Sequence, residues 1–378
     1  MLQRTGLTGD PMTPDGPELF RELAVVVSVL GERSGIGSFR LPYPYAAQRV
    51  LDRTVLHCIG RGLEPPKGLP ELLEWCRSRP AADQLFGVPP TLVSPDATLV
   101  HPIGLMPTRT CLELSSDGME HGPEGATRRL LAELAGRCGP TDRFHRSRRF
   151  LALNPMVRQG DRCRGGWSRE VWSRVRDLYH PVPEYLTVGG TLLRCGTCGL
   201  PALLGGGRTP DRATAVSGPD TWCEGETCPD GVQMELIRKP GKVQLLRRPL
   251  RIFFSLPSRL EQEVLAGLAR EAVDHEAVQG EVGAYRIRNA GLTAGHLYVC
   301  DWIQPALLAR RLSNLTEPAL VVVPEGIAGS ARYRTAFTRA LPDPELVALT
   351  GPDGLVVHLR GGRAFEETER KGRGQCVL

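Results

Sequence analysis

Four cysteines in two close pairs constrain this chain more than any other feature. The first pair reads Leu193-Arg194-Cys195-Gly196-Thr197-Cys198-Gly199 and the second Trp222-Cys223-Glu224-Gly225-Glu226-Thr227-Cys228-Pro229, with 24 residues between the inner cysteines. Zinc takes four deprotonated sulfurs in a tetrahedron, and two tight turns that each present two thiolates supply them. Glycine beside the first pair suits a turn whose amides bend toward sulfur. The second pair, with four intervening residues, makes a looser knuckle, and the polar, glycine-rich stretch 205–219 suits an exposed excursion between metal-bound ends. A redox pair would open a helix inside a βαβ unit, and Gly199-Leu200-Pro201 is a poor helix start. With every ligand position filled by thiolate, no position is left for a reactive water, so the expected Zn2+ site at Cys195, Cys198, Cys223 and Cys228 is structural.

The remaining cysteines point the same way. Eleven in all is an odd number scattered over a long chain, which argues against a disulfide framework. At 378 residues, 41% hydrophobic and 24% charged, the chain can bury real cores in two or three domains. Its longest apolar runs, Leu23 to Leu30 and Ala319 to Val323, fall short of the roughly 18 to 20 residues of a membrane span. No membrane partner is expected, and an N-terminus without an apolar signal core points to the cytoplasm. The net charge of +5 is mild, but only four of the 47 basic residues are lysines: Lys67, Lys239, Lys242 and Lys371. Genomic base composition explains that skew most simply.

Three regions follow from the patterning, between a Pro/Gly-rich stretch at 1–17 and a polar tail at 361–378, both expected to be disordered or frayed. Residues 18–185 read as a mainly helical N-terminal domain. Its helices are predicted from Pro44 to Ile59, Leu69 to Arg77, Glu124 to Cys138 and Ser168 to Tyr179, the last with Trp167, Val171, Trp172 and Val175 on one face. A proline-rich loop spans Arg79 to Pro107. Residues 186–234 form the zinc ribbon. From 243 to 360 the pattern alternates. Strands are predicted at Val243–Leu246, Arg251–Phe254, Ala284–Arg288, His296–Cys300, Ala319–Val323, Leu346–Leu349 and Leu355–His358. Helices are predicted at Ser258–Asp274, Pro305–Leu312 and Ser330–Leu341. This implies a mixed sheet flanked by helices, and an α+β multidomain chain overall.

Several segments resemble a known family. Pro257-Ser258-Arg259-Leu260-Glu261, Ala284-Tyr285-Arg286-Ile287 and Val299-Cys300-Asp301-Trp302-Ile303-Gln304-Pro305-Ala306-Leu307-Leu308-Ala309-Arg310-Arg311 are similar to the restriction-endonuclease-like proteins encoded beside PIWI-RE proteins in bacterial defence islands. So are Leu41-Pro42-Tyr43-Pro44, the Leu69 to Cys76 segment and Pro181-Val182-Pro183. The resemblance implies a C-terminal restriction-endonuclease-like α/β domain, with a PIWI-RE protein, a DinG-type helicase and DNA or RNA as partners. It also implies an acid on one strand, an acid-x-Lys on the next and a helix glutamate, which together hold a divalent cation, while the lysine orients and helps deprotonate water.

This chain departs from that pattern. The strand acid falls on Arg286, the acid-x-Lys on Tyr298-Val299-Cys300, and no lysine lies between Lys242 and Lys371. Arginine, with a pKa above about 12, is a poor proton acceptor. Glu261 matches the helix glutamate and Asp301 is the carboxylate beside the core strand, so the two stand as vestigial catalytic candidates. They could hold Mg2+ only if the nuclease site were active. The expectation is therefore an accessory protein that binds nucleic acid without cutting it. The alternatives are an active metal-dependent DNA endonuclease and a zinc-ribbon protein of transcription-factor type.

Two further segments invite a functional reading. Ser34-Gly35-Ile36-Gly37-Ser38 lacks the Gly-Lys-Ser/Thr ending of a phosphate loop and reads as a plain loop. Arg143-Phe144-His145-Arg146-Ser147-Arg148-Arg149-Phe150 interleaves cations with aromatics. This suits phosphate contact by Arg146, Arg148 and Arg149 with base stacking, and equally an amphipathic surface with Phe144 and Phe150 buried. Cys300 reads as a buried strand residue, with no histidine placed to activate it.

Overall fold

Leu19, Phe20, Leu23, Val27 and Leu30 recur at helical spacing, and they form the buried stripe of α1 (Gly16–Arg33). The computed structural model describes residues 15–33, 41–117, 122–139, 141–158, 168–207, 209–211, 215–278, 282–288, 295–355 and 357–358. Gly16 and Pro17 thus open a helix instead of closing the N-terminal tail. Ser34–Ser38, Trp167 and the C-terminal tail lie outside the described residues. No described helix is long and apolar enough to cross a membrane.

The chain divides into two units after Gly122, so the helical region expected to run to 185 is split. In the first unit, α1 packs on α2 (Tyr45–Gly60) and on α4 (Arg109–Ser116), with α3 (Leu69–Ser78) against α2. Arg53 of α2 reaches Glu18 (3.2 Å) and Glu22 of α1, and Phe20 meets Phe86 edge-on at 4.9 Å. All eight residues of α4 are buried. A charged helix can lie there because Arg109 pairs with Glu113 at 3.3 Å, and the Thr108 hydroxyl caps its first turn by accepting from the Cys111 amide at 3.1 Å. Residues 79–107 run through turns, as the prolines imply.

The second unit begins with α5 (Pro123–Cys138), α6 (Thr141–Leu153) and α7 (Arg169–Val175). Leu134, Leu151 and Val175 from these helices share one core with Leu246, Leu250 and Phe254. This shared core is why residues 123–185 belong with the C-terminal half. β1 (Met156–Arg158) and β2 (Tyr179–Pro181) flank β8 (Val243–Leu246) in an antiparallel sheet. Between β2 and β8 comes the cysteine-bearing sheet. In it β4 (Thr191–Arg194) pairs with β3 (Thr187–Val188), β5 (Pro201–Leu204) and β7 (Glu235–Ile237), and β5 pairs with β6 (Thr221–Cys223).

Residues Arg251–Phe254, expected as a strand, instead join α8 (Arg248–Leu250) to α9 (Leu256–Arg270) as a π-helical turn, Arg251–Ser255. The reason is geometric. Positions three apart lie on one face of a helix but on opposite faces of a strand, and Arg248 and Arg251 both reach the same buried carboxylate, Glu224.

The last sheet runs β13–β12–β11–β10–β9, from β9 (Asp274–Ala277), β10 (Ala284–Arg288), β11 (His296–Val299), β12 (Ala319–Val322) and β13 (Val347–Thr350). β9, β10 and β11 are antiparallel, while β11, β12 and β13 are parallel. α9 precedes this meander, α10 (Pro305–Arg311) joins β11 to β12, and α11 (Glu325–Ala328) with α12 (Ala331–Ala340) joins β12 to β13. The expected mixed sheet forms. Leu355, Val357 and His358, expected in a strand, are helical; the Leu355 amide donates to the Gly351 carbonyl and the Leu355 side chain enters the core under α9.

One half-buried histidine makes the first unit pH-sensitive. His101 Nδ1 accepts from the Ile103 (3.1 Å) and Gly104 (3.2 Å) amides, and burial pushes its pKa down to about 4. The neutral ring is thus the folded form, while an unfolded histidine titrates near 6.5. The resulting stability is complete above pH ~6.5 and is lost as pH falls toward ~4. The urea midpoint should therefore drop across that window, and less so in His101→Asn, whose Oδ1 can accept the same amides. Equal pH slopes in both proteins would contradict the assignment.

Candidate functional site

The two cysteine turns close on one another. Cys195 and Cys198 sit between β4 and β5, where the Cys195 amide donates to the Leu200 carbonyl at 2.9 Å and the Gly199 amide to the Cys195 carbonyl at 3.0 Å. Gly199 has φ 74°, a left-handed backbone that favours glycine. A Cβ at Gly196 would lie 2.3 Å from the Gln233 carbonyl oxygen. Cys223 ends β6, and Cys228 closes the second turn.

The four Sγ atoms lie within 4.8 Å of one another, with Cys198–Cys223 at 3.2 Å and Cys223–Cys228 at 3.7 Å. Sulfurs bound at ~2.3 Å to one tetrahedral metal are about this far apart. Hydrogen bonding from Cys198, Cys223 and Cys228 holds the Cys195 thiol far below its usual range, while the bond to Cys195 and burial push Cys198 and Cys223 up. Ionised together, four sulfurs this close would repel one another unless they shared a cation. The set is compatible with a structural metal such as zinc, and it is the one convergent group of three or more His, Cys, Asp or Glu ligands among the described residues.

The second knuckle also carries Glu224, which sequence reasoning passed over. Its carboxylate is buried and receives Arg248 Nε at 3.0 Å, Arg251 Nε at 2.6 Å and Arg251 Nη2 at 2.7 Å. Burial alone would raise its pKa, but the two guanidiniums outweigh that and leave it below the ordinary carboxylate value. Nothing in the local sequence announces these partners, because they lie more than twenty residues away.

Glu261 occupies a second place. With Arg148, Arg149 and His145 of α6 it lines a groove of about 370 Å³ between α6 and α9. The Tyr285 hydroxyl donates to Glu261, Arg148 stands 3.9 Å from its carboxylate, and Arg148 also lies over the Phe254 ring at 5.5 Å. The structure thus joins Arg148 and Arg149 with Glu261 and leaves Arg146 off the groove. Phe150 is buried and Phe144 packs against the same core, as an amphipathic helix requires.

Arg286 and Tyr298 do not converge with Glu261. Tyr285, Leu297 and Val299 are the β10 and β11 residues that share the α9-side core, and strand alternation turns Arg286 and Tyr298 to the opposite face. Asp301 lines a different cavity from Glu261. Cys300, beside it, is pushed up to about 12 by burial and so remains a thiol.

Similarity to known proteins falls on the N-terminal part. Residues 19–158 match the family model of pPIWI_RE three-gene island domain Y. The match supports association with pPIWI-RE modules. It spans the first unit from Leu19 and continues through α5, α6 and β1; the cysteine sheet and β9–β13 lie beyond it. No curated protein and no solved structure matches the chain.

Glu224→Ala leaves two buried guanidiniums without their carboxylate and should cost about 3–5 kcal/mol in denaturant unfolding. A loss under 1 kcal/mol would show that the knuckle does not depend on this pair.

Proposed function

We propose that the chain is a nucleic-acid-associated accessory protein of a bacterial PIWI-RE module acting against phage or mobile elements, with an endonuclease-like C-terminal domain that no longer cuts. One observation carries this reading. The positions of β10 and β11 that face Glu261 are Tyr285, Leu297 and Val299, none of which can ligate magnesium or accept a proton from water. α9, the antiparallel β9–β10–β11 meander and parallel β12 joined through α10 follow the helix, strand and helix order expected of such a domain. A transcription-factor-type zinc protein would leave that mixed sheet unexplained.

Nuclease chemistry does not fit the residues present. Glu261 is held by Tyr285 and faces Arg148, Asp301 lines a separate cavity, and among the described residues no lysine lines either depression. The groove instead offers Arg148 and Arg149 to phosphate oxygens, with Glu261 orienting Arg148. In the ribbon, Cys195, Cys198, Cys223 and Cys228 would hold zinc, whose chemistry there is to cross-link two turns. The match at 19–158 supports association with other proteins of a pPIWI-RE module; the choice of a PIWI-RE protein and a DinG-type helicase as those partners comes from the resemblance of the sequence segments.

Incubation with duplex and single-stranded DNA in magnesium or manganese should give no cleavage, unchanged by Glu261→Ala or Asp301→Ala. Arg148→Ala with Arg149→Ala should weaken DNA binding and lower the salt slope by about 1 per lost contact. Metal-dependent cleavage by the wild type that either carboxylate substitution abolishes would establish an active nuclease instead. Elemental analysis should find one zinc per chain, lost in Cys195→Ser.

A further inference from the structure

A cavity of about 490 Å³, within the size range of small-ligand sites, opens at the carboxyl end of β11 with walls graded in polarity. Asp301 is buried within it. Trp302 and Phe253 give it an aromatic wall, their ring centroids 6.5 Å apart, and Arg311 lies over Trp302 at 5.4 Å. Arg128 stands at the mouth, 61% exposed. Glu124 serves both guanidiniums, Arg128 at 2.9 Å and Arg311 at 2.6 Å, so two positive charges share one carboxylate at the rim.

We propose that this cavity binds a nucleotide, with its base inward against Asp301 and the aromatic wall and its phosphate outward at Arg128. The Asp301 carboxylate offers acceptor oxygens to a base. It therefore selects a base edge with adjacent N–H donors, as guanine has, and opposes uracil or thymine, whose single N–H is flanked by carbonyls. Flat rings supply a stacking surface, and the guanidinium rim supplies charge-assisted bonds to phosphate. Burial pushes the Cys300 thiol up to about 12, so it offers the cavity no thiolate nucleophile. A free nucleotide and an unstacked nucleotide of a strand share this chemistry. The inference does not rest on the endonuclease-like reading.

Calorimetric titration of the full chain with GMP, UMP, guanosine, inorganic phosphate and the hexanucleotides d(TTGTTT) and d(TTTTTT) tests it. GMP or d(TTGTTT) should bind about tenfold or more tighter than its uracil or thymine counterpart. Tighter GMP identifies a free nucleotide as the occupant, and a tighter oligonucleotide identifies a strand. Asp301→Asn should erase the guanine preference. Arg128→Ala, at an exposed helix position that does not threaten folding, should weaken GMP but not guanosine, while Arg137→Ala on the same helix changes neither. The proposal is overturned if guanine and uracil ligands bind alike, if phosphate alone binds as well as GMP, or if Arg128→Ala binds GMP as the wild type does.

Discussion

The buried carboxylate of Glu224 ties the second unit together. It directly follows Cys223 in the chain, and it is gripped by Arg248 and Arg251 at the turn that starts α9. Arg251 also donates to the Leu246 carbonyl, which closes β8 onto the same turn. The cysteine knuckle, the three-stranded sheet and the helix that leads into the C-terminal sheet thus meet at one anion. A buried ion pair is weak as a source of net stability, since desolvation consumes much of the attraction. What it supplies is register: only a helical turn presents both arginines to one carboxylate.

That register fixes what lies downstream. Phe254, next in the π-helical turn, lines the groove shared by Arg148 and Glu261, and Phe253 lines the cavity that holds Asp301. Adjacent residues of one turn therefore serve two separate depressions. The two carboxylates that a nuclease reading would bring together are kept apart by the same element, and each acquires a different neighbourhood: arginine and tyrosine for Glu261, aromatic rings and a shared guanidinium rim for Asp301.

Much of this was legible in the amino-acid order, and the failures have physical causes. Periodicity located α2, α3, α5, α10 and α12, and the β-branched run Ala319–Val323 located β12, because each buries one face or both. The cysteine spacing located the cluster of four sulfurs, since the two turns that carry them are local. The division after Gly122 was not legible: it depends on Leu134 and Val175 meeting Leu246 and Leu250, contacts between distant segments. Arg251–Phe254 reads as a strand because Ile and Phe favour one, and a distant glutamate overrides that preference. The motif that matches Arg286 to a nuclease strand position does not reveal which face of β10 it occupies, because strand alternation puts Tyr285 and not Arg286 on the α9 side.

β2 and β8 are hydrogen-bonded neighbours, with Tyr179 opposite Leu246 and Pro181 opposite Gln244, yet the whole cysteine sheet lies between them in the chain. The ribbon is therefore an insertion whose two ends leave from the same spot. Bringing β2 and β8 together from the unfolded chain means closing that long excursion, at an entropic cost that rises by about 0.6 kcal/mol with each doubling of loop length. A metal held by Cys195, Cys198, Cys223 and Cys228 would shorten the free loop before the sheet zips. Bound metal would then ease the assembly of the second unit, and an insertion anchored in this way can lengthen without disturbing the strands from which it springs.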